Sequence, residues 1–493
     1  GRKGSHDGDG AGAGTPAAAA EATPPPDVLA LIDMADLSRV YAHSERLDSE
    51  GIVDFVRALS EVSKGELDSA TNPRVYSLTK IVEISHYNMT RIRLVWSRIW
   101  AVLSDYFIHV GCLPNHMVAS YAVDSLRQLA MKFLERDELA NYTFQNDFLK
   151  PFVVVMRKSR RVEIRELIIR CVSQMVLARV SNVKSGWKSM FMVFTTAASD
   201  DSRAVVQLAF ETIEKIVREY FSYITDTEVT TFTDCVNCLI AFTNNRFNTD
   251  ISLNAIAFLS FCALKLAEGE LGDLEAAGRS EGDPSAEKSR APTCFEDKDV
   301  HVYFWFPLLA GLGELTFDPR PEIRRSALEC LFDMLRIHGG SFSERFWERV
   351  FESVLFPIFD AVRAEFTDIT TFSGASGEAD DEIDAWLYET CKECLQHVLD
   401  LFVQFYSSVG ALLPRVLDLV AGFVRRPHLK LAGVGMAGLV SLLSSAGHLF
   451  SEATWGEVLA VVSALAEDTR PDLAGLVPAP GAGPAAAGTE AGA

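Results

Sequence analysis

The sequence predicts an all-α protein of stacked helical hairpins, and three observations carry that expectation. Between residues 28 and 475 almost every window places apolar residues at spacings of three and four, whereas strand-like alternation is scarce. A triplet recurs seven times: an aliphatic residue, a side chain four later that is most often small or mid-sized, and an apolar one eight later. The triplets open at positions 118, 164, 205, 253, 323, 387 and 431, so their spacings are 46, 41, 48, 70, 64 and 44 residues. Setting aside 26 residues at 267–292 and about 20 around 367–385 brings both long intervals near the ~40 to 47 residues of a HEAT or armadillo unit. The expected architecture is a HEAT/armadillo-like α-solenoid, in which hairpins that cannot bury an apolar stripe alone stack into one continuous core.

Taken in order, residues 1–27 are Gly, Ala, Pro and charge, and are expected to be a disordered tail. Helical repeats follow over 28–266, with triplets Val118/Ala122/Leu126, Ile164/Ile168/Val172 and Val205/Ala209/Ile213. The stretch TNNRFNTDISLNAIAFLSFCAL (243–264) joins a polar doorway to an apolar run. Leu253, Ile256, Ala257, Phe261 and Leu264 predict one buried side of a helix, with Asp250 and Ser252 as caps for its first amides. An acidic Gly-rich loop is expected over 267–299, then repeats over 300–475 with a loop near 367–385 and a disordered tail over 476–493. In DPRPEIRRSA (318–327), Asp318 and Pro319 end one helix and Pro321 opens the next. Triplets Ile323/Ala327/Leu331, Leu387/Cys391/Leu395 and Leu431/Gly435/Leu439 complete the series.

A formal charge of -21 argues against general affinity for nucleic acid. Nine cysteines without small-domain spacing suit a reducing compartment, which places the chain in the cytosol. No stretch is expected to cross a bilayer, which takes about 20 apolar residues, so membrane contact is expected to be peripheral. The chain begins at Gly rather than Met and is expected to be part of something longer.

Cys235 with Cys238 and Cys391 with Cys394 have Cys-x-x-Cys spacing, but they lie on helix-patterned segments several units apart, which predicts core thiols rather than a four-thiolate zinc site. GVGMAG (433–438) matches a dinucleotide fingerprint without the strand that such a site requires, so its glycines are expected to serve helix packing. No cofactor and no catalytic residue is expected. One basic run stands out: RKSRRVEIR carries Arg157, Lys158, Arg160, Arg161 and Arg165 at a turn that opens a repeat. It is the candidate contact for a partner or for lipid headgroups, each cation contributing about 1 kcal/mol near an anionic membrane; the alternative is a solvated turn.

Several long segments resemble one family. YNMTRIRLVWSRIW (87–100), VDSLRQLAMKFLERDELANYTFQNDFLKPF (123–152), IIRCVSQMV (168–176), VSNVKSGWKSMF (180–191) and SDDSRAVVQLAFETIEKIVREYF (199–221) look like the region downstream of the catalytic domain in the BIG group of large, brefeldin A-inhibited Arf guanine-nucleotide exchange factors. RPHLKLAGVGMAGLVSLLSSAGHLFSEATWGEVL (426–459) and the 243–264 segment are similar to the same group, especially its plant members. The resemblance implies a non-catalytic regulatory and interaction segment in vesicle trafficking, since nothing here resembles the helical exchange domain and its glutamate finger. Implied partners are an Arf-family small GTPase, other domains of the parent chain and a peripheral membrane surface at the trans-Golgi network or endosomes, with homodimerisation through the parent. A second expectation, from charge and architecture alone, is a nuclear transport receptor or general adaptor for basic cargo.

Overall fold

The computed structural model describes residues 33–68, 72–91, 93–135, 144–225, 229–268, 304–360, 378–426 and 429–470. All regular structure among them is helical. The chain forms two compact units, divided between Tyr106 and Phe107.

In the first unit, α1 (Met34–Ala42), α2 (Ser49–Leu67) and α3 (Tyr76–Asn88) precede α4 (Arg93–Gly111), which begins there. Asp33 and Asp48 cap α1 and α2 by accepting from Ala35 and Gly51 amides. Arg91 donates to the carbonyls of Ser44, Glu45 and Leu47 at 3.1, 3.0 and 2.7 Å, which closes the connection between α1 and α2. Buried Ser63 shares a 2.6 Å hydrogen bond with the Tyr106 hydroxyl.

The second unit continues with α5 (His116–Phe133), α6 (Phe144–Lys158), α7 (Val162–Arg179), α8 (Gly186–Ala198), α9 (Arg203–Thr225), α10 (Val229–Thr243) and α11 (Thr249–Ala267). Then come α12 (Phe306–Leu315), α13 (Pro321–His338), α14 (Glu344–Val350, extended by a π-helical turn over Phe351–Leu355), α15 (Glu378–Gln404), the short α16 (Tyr406–Val409), α17 (Leu413–Val424), α18 (Leu429–Ala446) and α19 (Glu452–Asp468). Two rows result. First helices stack on first helices, α6 on α8, α8 on α10, α10 on α12 and α12 on the π-helical turn; second helices stack as α5, α7, α9, α11, α13, α15 and α18.

Every triplet lies on a second helix, which is why the pattern repeats once per hairpin. Val118, Ala122, Leu126, Ile164, Ile168, Val172, Val205, Ala209, Ile213, Ile323, Ala327, Leu331, Leu431 and Leu439 are all buried, as are Cys391, Leu395 and Gly435. The side chain of Leu387 lies outside the described residues. Small middle residues permit close approach. At Gly435 a Cβ would sit 2.6 Å from the backbone nitrogen of Val424 on α17; outside the triplets, Gly311 on α12 likewise leaves no room for a Cβ beside Ile240 on α10.

Helix α11 departs from expectation. Its buried side is Ile251, Ala255, Ile256, Phe258, Leu259, Cys262, Ala263 and Leu266, whereas Ala257 and Leu264 are exposed and Leu253 and Phe261 are half-buried. The run is apolar on most of its circumference, so periodicity finds a helix without fixing its phase. The cap also differs: Asn248, not Asp250 or Ser252, accepts from the Asp250 amide at 2.9 Å. Pro321 does open α13. The expectation about bilayer-length segments is corrected as well. Thr249–Ala267, Tyr406–Val424 and Leu429–Leu449 are long and apolar enough to cross a membrane by length and composition. Neighbouring helices cover much of the first two here, because a helix packed on several sides needs apolar residues on each of them. The calls on 1–27 and 476–493, and most of 267–299, lie outside the described residues; α15 begins within 367–385, at Glu378.

Replacing fully buried Ala327 by Arg places an unpaired charge between helices and is expected to lower stability by several kcal/mol, on the order of 3. Ala257→Arg, at the exposed phase of α11, is expected to change it by less than about 0.5 kcal/mol. Thermal unfolding of the two variants checks the row assignment, and equal midpoints would overturn it.

Candidate functional site

Because like helices stack on like, the turns within hairpins follow one another along one edge of the second unit. The basic run forms the α6–α7 turn on that edge. Arg157 and Lys158 close α6, Arg160 lies in the turn, and Arg161 is the residue before α7; all four are exposed. The Arg161 guanidinium donates to the carbonyl of Pro114 in the preceding turn at 3.0 Å, and Arg157 lies 3.5 Å from the Thr196 hydroxyl near the following one. Lys158 comes close enough to the half-buried Cys112 to oppose the upward shift that burial gives that thiol.

Arg165 has a different position from the other four. Its side chain is 13% exposed, and its Nε lies 2.6 Å from Asp200, itself 6% exposed. A second nitrogen donates to the other Asp200 oxygen at 3.0 Å and a third to the Ser159 carbonyl at 2.9 Å. This planar fork fixes the basic turn against the α8–α9 turn. The structure therefore brings four of the five cations to the surface and places the fifth beneath them as a brace.

A second braced turn, not anticipated from sequence, lies further along the same edge. Asn245 is buried; its amide donates to the Phe242 carbonyl at 2.8 Å, to the Asn248 carbonyl at 3.1 Å and to Ser252 at 2.9 Å, while its oxygen accepts from the Phe247 and Asn248 amides at 3.1 and 2.9 Å. Arg320 from the α12–α13 turn reaches across to the carbonyls of Thr243 and Asn245 and to the Ser252 hydroxyl, and holds Asp318 at 2.9 and 2.8 Å. Burial alone would raise the Asp318 carboxyl, but hydrogen bonds and charge from Arg320, with Arg324 beyond, outweigh it and hold it below the usual carboxylate range. Beside the network lies a cleft of about 380 Å³ lined by Asn244, Arg246, Phe247 and Pro319 among others. The polar doorway is thus a turn folded around one asparagine. The signal in the sequence was three Asn within five positions.

The cysteine pairs are core residues. Cys235 and Cys238 on α10 and Cys391 and Cys394 on α15 are all buried. A hydrogen bond that the Cys235 thiol donates to Cys262, together with burial, pushes the Cys235 thiol well up, and burial pushes Cys238 up to about 12. Of the three glycines in 433–438, Gly435 and Gly438 meet α17 and α15 closely, and Gly433 faces open space.

Comparison with known proteins gives two regional matches. A family model described as Mon2/Sec7/BIG1-like, HDS, matches residues 132–215, and another described as the C-terminal region of Mon2 protein matches 223–379. Brefeldin A-inhibited guanine nucleotide-exchange protein 2 of Arabidopsis thaliana is 59% identical over 456 residues, covering 90% of this chain and 25% of its own. Protein 3 of the same plant is also 59% identical, over 453 residues with the same coverage of both. Protein 1 of Homo sapiens is 38% identical over 420 residues, 85% of this chain and 21% of its own. The chain thus spans about a quarter of the length of its curated relatives. Among solved structures, a circular tandem repeat protein with novel repeat topology aligns over 85% of this chain and 96% of its own, at 12% identity and a TM-score of 0.34.

Two predictions follow from the braces. Arg165→Ala leaves the buried Asp200 without its guanidinium and is expected to cost about 2–4 kcal/mol, against less than about 0.5 for Arg160→Ala, as read by denaturant unfolding. For Asp318 the folded carboxyl is the stronger acid, so the unfolded chain binds the proton more readily. Its contribution is full above about pH 5 and is lost as pH falls through about 4 and below. Unfolding measured between neutral pH and about pH 3 is expected to show a steeper acid loss in the native chain than in Asp318→Asn.

Proposed function

This chain belongs to the brefeldin A-inhibited (BIG) family of Arf guanine nucleotide-exchange factors, as a segment from the region downstream of the Sec7 exchange domain, and on that premise we propose that it is a non-catalytic regulatory and interaction segment in vesicle trafficking. It docks an Arf-family GTPase, a peripheral membrane surface or other domains of the parent protein, and leaves nucleotide exchange to the Sec7 domain. The cytosol, with peripheral association at trans-Golgi or endosomal membranes, is the location that goes with this reading.

The observation that carries it is the basic turn. In a chain of net charge -21, four exposed cations stand within five residues of one turn, and the covered Arg165 ties that turn to Asp200 of the next. A solvated turn needs no such brace. Local positive charge in an acidic body orients the approach of an anionic surface, and the rest of the chain repels that surface elsewhere.

The test uses the purified chain in three arms: sedimentation with phosphatidylserine-containing vesicles, capture of Arf-family GTPase loaded with a GTP analogue, and capture of the upstream half of the parent. At least one arm is expected to bind. Replacing Arg157, Lys158, Arg160 and Arg161 together by Glu is expected to weaken that arm by at least about tenfold at low salt, with the unfolding midpoint unchanged. Failure of all three arms would overturn the reading, and undiminished binding by the variant would overturn the role of the turn.

A further inference from the structure

We propose that the outer face of α18 is a docking face for one more helix of the array, supplied by a part of the full-length exchange factor that this chain does not contain. On α18, Leu429 is 86% exposed, Val440 60% and Met436 49%. Gly433 and Ala437 lie among them and are exposed too. The spacings of seven and four put the large side chains on one stripe, like those that α11, α13 and α15 bury against their neighbours. Lys430 is the only charged residue of the helix.

The register of the two rows says what fits this stripe. Helix α19 packs on α17, with their C-terminal ends joined by Arg425 and Asp468 at 2.8 Å, so it stands in the row of first helices. The second helix of that hairpin belongs beside α18, and α18 turns its exposed stripe to that side. End units of such arrays that face water have a polar outer side; here it is apolar. Residues 471–493 contain only three large aliphatic side chains, Leu473, Leu476 and Val477, and four prolines, too little to match a stripe more than three turns long. Relatives are about four times longer than the matched region, which leaves ample chain for the partner helix.

Charge distinguishes a helix from a lipid surface as occupant. Arg425 at the end of α17 pairs with Asp468 at the end of α19, and α19 carries three further acids, Glu452, Glu457 and Glu467, against one cation, Lys430, on α18. An anionic membrane that approached the stripe would meet those carboxylates, whereas a helix with mixed surface charge satisfies both signs. The proposal rests on family membership and not on the basic turn, so it stands or falls apart from the docking reading above.

The experiment places a thiol at Val440, which is exposed enough for substitution to leave the fold intact. Val440→Cys is introduced into this chain and into the full-length exchange factor, and alkylation at that site is followed by peptide mass analysis. The rate is expected to be at least about tenfold lower in the full-length protein than in the chain alone, without vesicles and at every protein concentration. Equal rates would overturn the proposal. Protection of the chain alone that grows with its concentration would assign the face to a second copy, and protection only with vesicles would assign it to lipid; either result overturns it. Circular dichroism of the variant chain verifies that the labelled protein is folded.

Discussion

Each hairpin of the second unit has to bury apolar surface on both the preceding and the following hairpin, and everything else about the fold follows from that requirement. It is met by close contact between like helices, and close contact needs a small residue where two backbones cross. Ala122, Ala209 and Ala327 are the buried small residues at the middle of the triplets on α5, α9 and α13, and on α18 Gly438 meets α15 closely while Gly435 meets α17. The repeat in the sequence is therefore a repeat of contacts. With like helices in rows, the described turns within hairpins, such as those of α6–α7, α8–α9, α10–α11 and α12–α13, are brought to one edge, whatever their own residues are. The edge is free to vary because the rows hold the helices in place.

The arginines along that edge divide into two kinds by what lies beneath them. Arg165 and Arg320 each hold a carboxylate that is almost fully covered, and each spans two successive turns; their charge is spent on geometry. Arg157, Lys158, Arg160 and Arg161 stand outward and make at most one contact each to a neighbouring turn. Buried ion pairs add little net stability compared with apolar packing, yet they fix one arrangement of the groups that form them. In this edge they fix the spacing between turns, and hence the place of the turn that carries the four outward cations.

How far the sequence could be read depended on whether the signal was local. The row of second helices was legible, because i, i+4 and i+8 are set by the helix itself. The phase of α11 was not, since a helix apolar on nearly all sides has no unique stripe, and the same property gave three segments bilayer-like composition. The basic run was legible as charge. That Arg165 differs from its four neighbours was not, because its partner Asp200 is 35 residues away. The cap expected from Asp250 and Ser252 is supplied by Asn248, and Asn245 nearby is the centre of a turn whose other half comes from Arg320, 75 residues on. Long-range polar networks leave no period in a sequence, and so the charge of this site is legible in advance while the bracing beneath it is not.

The two surfaces of the second unit differ in the force that would act on them, and this allows them to work independently. At the basic turn the force is electrostatic, reaching about 8 Å at physiological ionic strength and weakening with added salt. At α18 the force is burial of Leu429, Met436 and Val440, which salt does not screen. The turn belongs to the hairpin of α6 and α7 and the stripe to that of α17 and α18, with the helices from α8 to α15 packed between them in two rows. An occupant at one place does not cover the other. The charged turn and the apolar stripe thus lie on separate hairpins of the second unit.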